Sequence, residues 1–309
     1  MLLQGFFLRI NSLPRHAEEV DVNVGRRYGL VMELETRYAR PDDETIAALV
    51  QACVPGDGDG FDLVETGSSS VVALTETAAV RIARDRDAAR EILRTQELMD
   101  HLPALPFEVP TSLGCPVWHG GVVAVATRRL EGEPHPAGSG DPGELRALLD
   151  AIHGIDVEPL RGWLAEPHAF CGGVQWLTVL REQVVPLLPS GKRAAALDIV
   201  ARVEALPAGE QALNHGDLAG GNVLWREGRV AGVLDWDLAA WCDPADDVAS
   251  LALWHGWDVL PQLADAATAQ RADVIRQTYP LQVVGFTVVR ERPADELSRA
   301  VDRAAERLA

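Results

Sequence analysis

The chain has 309 residues, of which 47% are hydrophobic and 24% charged, so its composition is that of a globular protein and not of a disordered one. Its formal net charge is −18 at pH 7. Such a charge repels nucleic-acid phosphates and anionic membranes, so neither is expected as a partner. It favours a cationic ligand, although a generally acidic proteome would give the same charge.

The cysteines and the apolar segments bear on location. The four cysteines are far apart and form no CxxC pair, which argues against disulfides and zinc and favours a reducing cytoplasm. No apolar run approaches the roughly 20 residues that span a bilayer. The short apolar stretch within residues 1–8 has no basic residue before it and no small-residue cleavage site, so no secretory signal is expected. We expect a cytoplasmic monomer or homodimer.

The first part of the chain predicts an N-terminal lobe over residues 32–131. Residues 1–31 show no clear periodicity and are expected to be an extension, or to precede the true start at Met32. A helix is predicted after Asp42, where acidic residues favour a first turn. Strand patterns follow at 61–65, 71–74, 79–83, 109–117 and 122–127, with one long helix inserted over 86–102.

The second part predicts a larger, mainly helical lobe over residues 132–309. A Gly/Pro-rich connector over 132–143 marks the boundary. Helical patterns cover 144–153, 173–188 and 193–206, and strands are expected around 212–235. A sheet-rich first lobe before a helical second lobe predicts the α+β class.

One segment carries the chemistry. It reads His215-Gly216-Asp217-Leu218-Ala219-Gly220-Gly221-Asn222, and a strand pattern ending in Asp235-Trp236-Asp237 follows. In phosphoryl transfer, a first carboxylate accepts the substrate hydroxyl proton, and an Asn with a second Asp holds Mg²⁺ at the phosphates. The order Asp, Asn, Asp at these spacings therefore predicts a Mg²⁺-dependent phosphotransferase.

These motifs resemble those of the aminoglycoside phosphotransferase family, which has a two-lobed protein-kinase-like fold. The family's catalytic loop reads H-G-D-x-x-x-x-N, and its metal strand ends in hydrophobic-D-W/F-[DE]; both occur here in order. The resemblance implies Asp217 as catalytic base, Asn222 and Asp235 as Mg²⁺ ligands, and His215 as a loop-structuring residue. Asp237 matches the second acidic position, and ATP or GTP is the implied donor.

A second match follows the metal strand. Residues 243–251 resemble the family's D-P-x-x-D-hydrophobic-A segment. We interpret Asp243 and Asp247 as mainly structural, at a turn and a helix start, with a substrate contact as the alternative. His153 matches a histidine of the family's first large-lobe helix, and we expect it to be a hydrogen-bonded structural residue.

The nucleotide-binding part is a weaker match. The family covers the phosphates with a strand-turn-strand, here Gly67, Ser68, Ser69 and Ser70, whose backbone and hydroxyl groups suit phosphate. Arg81 stands where the family has a phosphate-binding Lys, and Arg for Lys is not an equivalent exchange.

The partner of Arg81 and the adenine-binding hinge are assigned by position. Glu97 is the expected partner of Arg81, with Glu91 as the alternative. Thr127 and Arg129 lie in the segment that resembles the hinge.

The predicted function is transfer of the γ-phosphate to a hydroxyl of a small cationic molecule, such as an aminoglycoside or a peptide antibiotic. Residues 215–251 look closest to phosphotransferases acting on cyclic peptides of the viomycin and capreomycin type. A metabolic alcohol as acceptor, or a catalytically silent nucleotide-binding regulator, are the alternatives. Trp254 and Trp257 are expected in the core, with an acceptor pocket as the alternative; Asp258 is a further candidate.

Overall fold

A computed structural model describes residues 40–57, 60–65 and 70–308 of the chain. The chain divides into two compact units. The first comprises the described residues up to Glu131 together with Pro159–Leu164 and Gly232–Asp237. The second comprises Gly132–Glu158, Ala165–Ala231 and the residues from Leu238 onwards.

The first unit is built on an antiparallel sheet. Its described strands have the order β1-β2-β3-β5-β4. Their bounds are β1 (Asp62–Val64), β2 (Ser70–Leu74), β3 (Ala78–Ala83), β4 (Val117–His119) and β5 (Val122–Arg128). The helices are α1 (Asp43–Cys53) and α2 (Arg86–His101), and each begins after an aspartate, Asp42 and Asp85, whose side chain accepts a backbone N–H of the first turn.

The two helices pack with opposite faces of this sheet, which follows from the alternation of side chains along a strand. Val80 and Ile82 of β3 are fully buried in a cluster with α1. Val123 and Val125 of β5 lie in a second cluster with α2. Arg81 is directly opposite Val125 in the register, so it stands on the α2 face of the sheet.

The strand predicted over 109–117 is wrong for most of its length. Ser112 forms only an isolated bridge, with Thr127, and the regular strand β4 begins at Val117. Pro110 and Pro116 have no backbone N–H to donate to a ladder, which explains the irregular path.

The second unit is mainly helical, with short strands. The strands β6 (Glu133–Pro134), β8 (Val223–Arg226) and β9 (Arg229–Val233) form one sheet in the order β6-β8-β9, and β7 (Ala212–Asn214) pairs with β10 (Ala240–Cys242). The helices are α3 (Pro142–His153), α4 (Trp176–Val179), α5 (Ser190–Glu204), α6 (Ala245–His255), α7 (Leu260–Leu263), α8 (Ala266–Ile275), α9 (Tyr279–Val289) and α10 (Ala294–Arg307). None of the helices in the described part of the chain is long and apolar enough to cross a membrane.

The predicted α+β class is confirmed. The first unit also includes two segments beyond residue 131, which the sequence analysis assigned to the second lobe. Residues 232–237 belong to the first unit because the N–H of Val233 donates to the carbonyl of Glu108. Residues 159–164 join it too, and Arg94 of α2 donates to the carbonyl of Trp163.

Candidate active site

The predicted base and the predicted amide ligand are in direct contact. Nδ2 of Asn222 donates to the backbone carbonyl of Asp217 at 2.9 Å and to its Oδ2 at 3.0 Å. Asp217 is only 3% exposed and Asn222 8%. Because the amide nitrogen faces Asp217, the amide oxygen of Asn222 is directed away from it, as a metal ligand requires. The second unit thus presents a fixed carboxylate beside a fixed amide.

The turn that leads into this loop depends on a glycine. Gly216 has φ of 84°, a conformation that favours glycine, and a Cβ there would lie 2.4 Å from the carbonyl oxygen of Leu238. The N–H of Asp217 donates to Nδ1 of His215 at 3.2 Å, and His215 is fully buried. These contacts support the loop-structuring role expected of His215.

A buried carboxylate anchors the start of the loop. Asp247 in the first turn of α6 is fully buried, and it accepts the backbone N–H groups of His215 at 2.8 Å and of Gly216 at 2.9 Å. Nε2 of His153 lies 3.4 Å from Oδ2 of Asp247. Asp247 therefore acts on the loop through its backbone, which favours the structural interpretation over a substrate contact.

The neighbouring aspartate also has a structural partner. Arg271 donates to both carboxylate oxygens of Asp243, at 2.6 Å and 3.0 Å, and Asp243 also accepts the N–H of Ala245 at the start of α6. Such a bidentate pair fixes the carboxylate in one orientation. Asp243 thus ties α6 to α8.

The second predicted metal ligand belongs to the first unit. Asp235 follows β9 in a left-handed conformation, with φ of 59°, which aspartate tolerates better than most residues. Burial raises the pKa of Asp235 to about 7, and the neighbouring carboxylate of Asp237 adds to the rise. Burial also acts to raise the pKa of Asp237, but the charge and hydrogen bond of Arg81 hold it below its usual value.

The ion pair of Arg81 differs from the expected one. Its Nη2 lies 2.7 Å from Oδ2 of Asp237, so the structure places Asp237 where the sequence predicted Glu97. Burial acts to lower the pKa of Arg81, but the charges of Asp237 and Asp235 outweigh it, and Glu91 contributes to the same rise. Oε2 of Glu97 lies 3.9 Å from Nδ1 of His101.

Arg94 is a site residue that the sequence analysis missed. It donates to the carbonyl of Asp237 at 2.6 Å and to that of Trp163 at 2.7 Å. Burial lowers the pKa of Arg94, with the charge of Asp237 opposing the shift. The only sequence signal was a basic residue between the buried Leu93 and Thr95 of α2. Arg94 fixes the backbone of the turn that carries Asp235.

The residues predicted to bind nucleotide have mixed outcomes. Gly67, Ser68 and Ser69 lie outside the described residues. Ser70 is 5% exposed and begins β2 opposite Ala83.

Both hinge residues use their side chains within the first unit. Thr127 is 1% exposed and its hydroxyl donates to the carbonyl of Ala79. Arg129 donates its backbone N–H to Thr77 and its guanidinium to the carbonyl of Thr75. The N–H of Arg129 therefore binds the turn between β2 and β3, and this contact differs from the adenine contact expected of the hinge.

The tryptophans near the end of α6 are half-buried rather than fully in the core. The indole N–H of Trp254 donates to the carbonyl of His135 at 2.8 Å. The guanidinium carbon of Arg276 lies 4.7 Å from the ring centroid of Trp257, a cation–π contact. Asp258 is exposed.

Each of the two predicted metal ligands has a donor atom that suits magnesium. Asn222 offers an amide oxygen and Asp235 a carboxylate, which are hard oxygen ligands. Mg²⁺ is commonly bound by one or two carboxylates together with substrate phosphates, so a small set of protein ligands suffices. A buried carboxylate with a pKa raised to about 7 is one that a cation would return to its charged form.

Comparison with known proteins identifies the family of the chain. The phosphotransferase enzyme family matches residues 63–281. Over 280 residues the chain is 30% identical to viomycin phosphotransferase from Streptomyces vinaceus, with 82% of this chain and 95% of that protein covered. A GDP complex of aminoglycoside 2'-phosphotransferase-IIIa has a TM-score of 0.73 at 16% identity, covering 86% of this chain and 98% of that one. The structure of macrolide 2'-phosphotransferase MphH from Brachybacterium faecium has a TM-score of 0.64 at 19% sequence identity, covering 85% of this chain and 98% of that one.

The fold and the loop define a kinase-like phosphotransferase that acts on the hydroxyl group of a small molecule. The chain belongs to the phosphotransferase enzyme family, the aminoglycoside phosphotransferases expected from its motifs. The predicted family, fold and enzyme class are confirmed; the individual site residues stay predictions.

Proposed function

We propose that the chain transfers the γ-phosphate of ATP or GTP to a hydroxyl of a cationic antibiotic, with cyclic peptides of the viomycin type as the first acceptors to test. The contact between Asp217 and Asn222 carries the proposal, because a buried carboxylate held beside an amide ligand suits proton acceptance next to a metal. The identity to viomycin phosphotransferase and the net charge of −18 support this acceptor class.

Each residue has one task in the proposed reaction. Asp217 orients the acceptor hydroxyl and accepts its proton as the oxygen attacks the γ-phosphorus and the bond to the β-phosphate oxygen breaks. Asn222 and Asp235 are the proposed Mg²⁺ ligands; the ion, when bound, neutralises charge on the phosphates. Arg81 keeps Asp237 charged through their ion pair, and its own positive charge also favours the ionised form of Asp235.

The test is Mg²⁺-dependent release of ADP or GDP with a panel of acceptors: cyclic peptide antibiotics, aminoglycosides, macrolides and metabolic alcohols. Asp217→Asn is expected to lose at least about 1,000-fold in kcat while nucleotide binding persists, because the proton acceptor is gone. Asp302→Asn, the same change at an exposed residue of α10, is the matched control and is expected to keep wild-type turnover.

Release that depends on a cationic antibiotic and disappears in Asp217→Asn supports the proposal. Release of ADP or GDP with a metabolic alcohol and with no antibiotic would show that the acceptor is a metabolic alcohol. Nucleotide binding without transfer to any acceptor would favour a catalytically silent regulator. Wild-type turnover in Asp217→Asn would show that Asp217 is not the base.

A further inference from the structure

Trp254 packs directly against the backbone of the loop that carries the base. A Cβ built on Gly220 would lie 1.8 Å from Cε2 and 2.0 Å from Cδ2 of the Trp254 indole. A glycine is therefore the residue that fits between this ring and the loop. Gly220 is buried, and it lies three residues after Asp217 and two before Asn222.

The contact falls on a turn that positions Asn222. The N–H of Asn222 donates to the carbonyl of Ala219 at 2.9 Å, so Gly220 and Gly221 are the two central residues of a tight turn. The side chain of Asn222 then reaches Asp217 at 3.0 Å. A displacement of Gly220 would move the turn, and with it the amide that contacts the base.

The orientation of the indole is fixed from the opposite side. Its N–H donates to the carbonyl of His135 at 2.8 Å, and the carbonyl of Trp254 accepts the N–H of Gly138 at 2.8 Å. The neighbouring His255 places Nδ1 2.5 Å from the carbonyl of Ser139. Residues 135–139 therefore hold the end of α6, and the ring cannot swing away from Gly220 without breaking the indole bond to His135.

The two glycines of the turn differ in their surroundings. Neither has a backbone conformation that demands glycine. Gly221 is exposed, and a Cβ there would meet no atom within 4 Å. Gly220 is thus required by the closeness of Trp254, while its neighbour in the same turn is not constrained in this way.

We propose that Trp254 is a positioning residue for the phosphotransfer loop: its indole, held by the carbonyl of His135, presses on Gly220 and sets the turn that places Asn222 beside Asp217. This inference rests on the proposed reaction for its kinetic readout. It assigns Trp254 a role on the loop rather than in the core or in an acceptor pocket.

The kinetic test adds a methyl group at Gly220 and then removes side-chain volume at Trp254, with kcat as the measured quantity. Gly220→Ala is expected to lower kcat about 100-fold with nucleotide KM within about threefold, since a displacement of about 1 Å costs that much in rate. Trp254→Leu makes room for the new methyl group, so the double variant is expected to recover at least about tenfold over Gly220→Ala. Gly221→Ala is the matched comparison and is expected to lose far less than Gly220→Ala. Rates are taken per nucleotide-binding site, which separates positioning from loss of folded protein.

A second variant keeps the inference testable if Gly220→Ala does not fold. Trp254→Phe keeps an aromatic ring and removes the N–H that binds His135. It is expected to speed hydrogen exchange of the Asn222 amide at least about tenfold relative to amides of β3, whether or not an acceptor is known. Unchanged kcat in Gly220→Ala, losses that multiply in the double variant, or unchanged exchange in Trp254→Phe would each overturn the inference. Wild-type protein that turns over no acceptor would count against the proposed function and leave the exchange result to decide on Trp254.

Discussion

Nη2 of Arg81 donates a hydrogen bond of 2.7 Å to Oδ2 of Asp237, and the two side chains are only 16% and 12% exposed. The pair joins β3 of the sheet to the turn that follows Asp235. The cation found at the expected phosphate-binding position is therefore also the counter-ion of the acidic segment. Loss of either partner leaves a buried charge without its neutralising neighbour.

Arg81→Met is expected to reduce the free energy of unfolding by about 3–5 kcal/mol, because removing one partner of a buried ion pair strands the other. Arg81→Lys, which keeps the charge but not the planar fork, is expected to lose less. Urea unfolding monitored by tryptophan fluorescence measures both. Adding Asp237→Asn to Arg81→Met is expected to restore part of the loss; strictly additive losses would contradict the pairing.

Asp247→Asn is expected to impair the loop rather than nucleotide binding. The asparagine oxygen can accept from His215 or Gly216, but its amide group repels the second N–H, which leaves a buried donor unpaired. We expect a loss of about 1–3 kcal/mol in unfolding free energy and a fall in kcat of about 100-fold from the misplaced loop. Steady-state kinetics with varied nucleotide separates kcat from KM. Asp198→Asn on α5, at a carboxylate 69% exposed, is the control; equal losses in both variants would refute the anchoring role.

Arg94→Lys tests whether two carbonyl contacts hold the Asp235 turn. A lysine has a single ammonium group on a shorter side chain, so it does not reproduce the fork that reaches Trp163 and Asp237 together. The concentration of Mg²⁺ that gives half-maximal activity is expected to rise at least about fivefold as the turn loosens. Arg90→Lys, the same change on the same helix at a half-exposed position, should leave this value within error. A Mg²⁺ requirement that is equal in both variants would exclude the role.

The catalytic loop could be predicted from the sequence because its functional residues lie within one short segment of the chain. The segment 215–222 and the pair Asp235 and Asp237 are local patterns, and the contact between Asn222 and Asp217 follows from their spacing within one loop. The helix α1 was likewise marked by the acidic residues that begin it.

The contacts that come from packing could not be read in this way. The pairing of Arg81 with Asp237 spans 156 positions and that of Arg94 with Asp237 spans 143. The sequence favoured Glu97 of α2 as the partner of Arg81. In the structure, residues 232–237 belong to the first unit, and Asp237 is the residue that pairs with Arg81. The need for glycine at position 220 depends in the same way on Trp254, which lies on another helix.

Asp246 predicts how stability depends on pH. Burial raises the pKa of Asp246 to about 8, and the charges of Asp243 and Asp247 add to the rise. Nε2 of His168 lies 3.6 Å away, and burial lowers the pKa of that histidine to about 4, so it does not supply a compensating charge at neutral pH. Cys171, Cys242 and Tyr279 are further titratable groups whose pKa values are raised by the charge of Asp246.

The ordinary pKa of an aspartate is 3.8 and that of Asp246 in the folded protein is about 8. At a pH between these two values, the folded protein holds a proton on Asp246 that the unfolded chain has lost. The free energy of unfolding is therefore expected to fall as pH rises through this window, by at most about 1.4 kcal/mol per pH unit from this group. His168 acts oppositely, but only between about 4 and 6.5, since its neutral form is favoured in the folded state. Above pH 6.5 the contribution of Asp246 is left to dominate this pair.

Asp246→Asn is expected to remove that slope and to raise the stability at pH 8, because the amide has no charge to bury. Urea unfolding at pH 6.5, 7, 7.5 and 8 gives the slope for both proteins, with His168→Gln used to confirm that the histidine contributes only below this range. A variant whose stability falls with pH as steeply as that of the wild type would show that Asp246 is already ionised in the folded protein at neutral pH, and that the loss of stability comes from other groups.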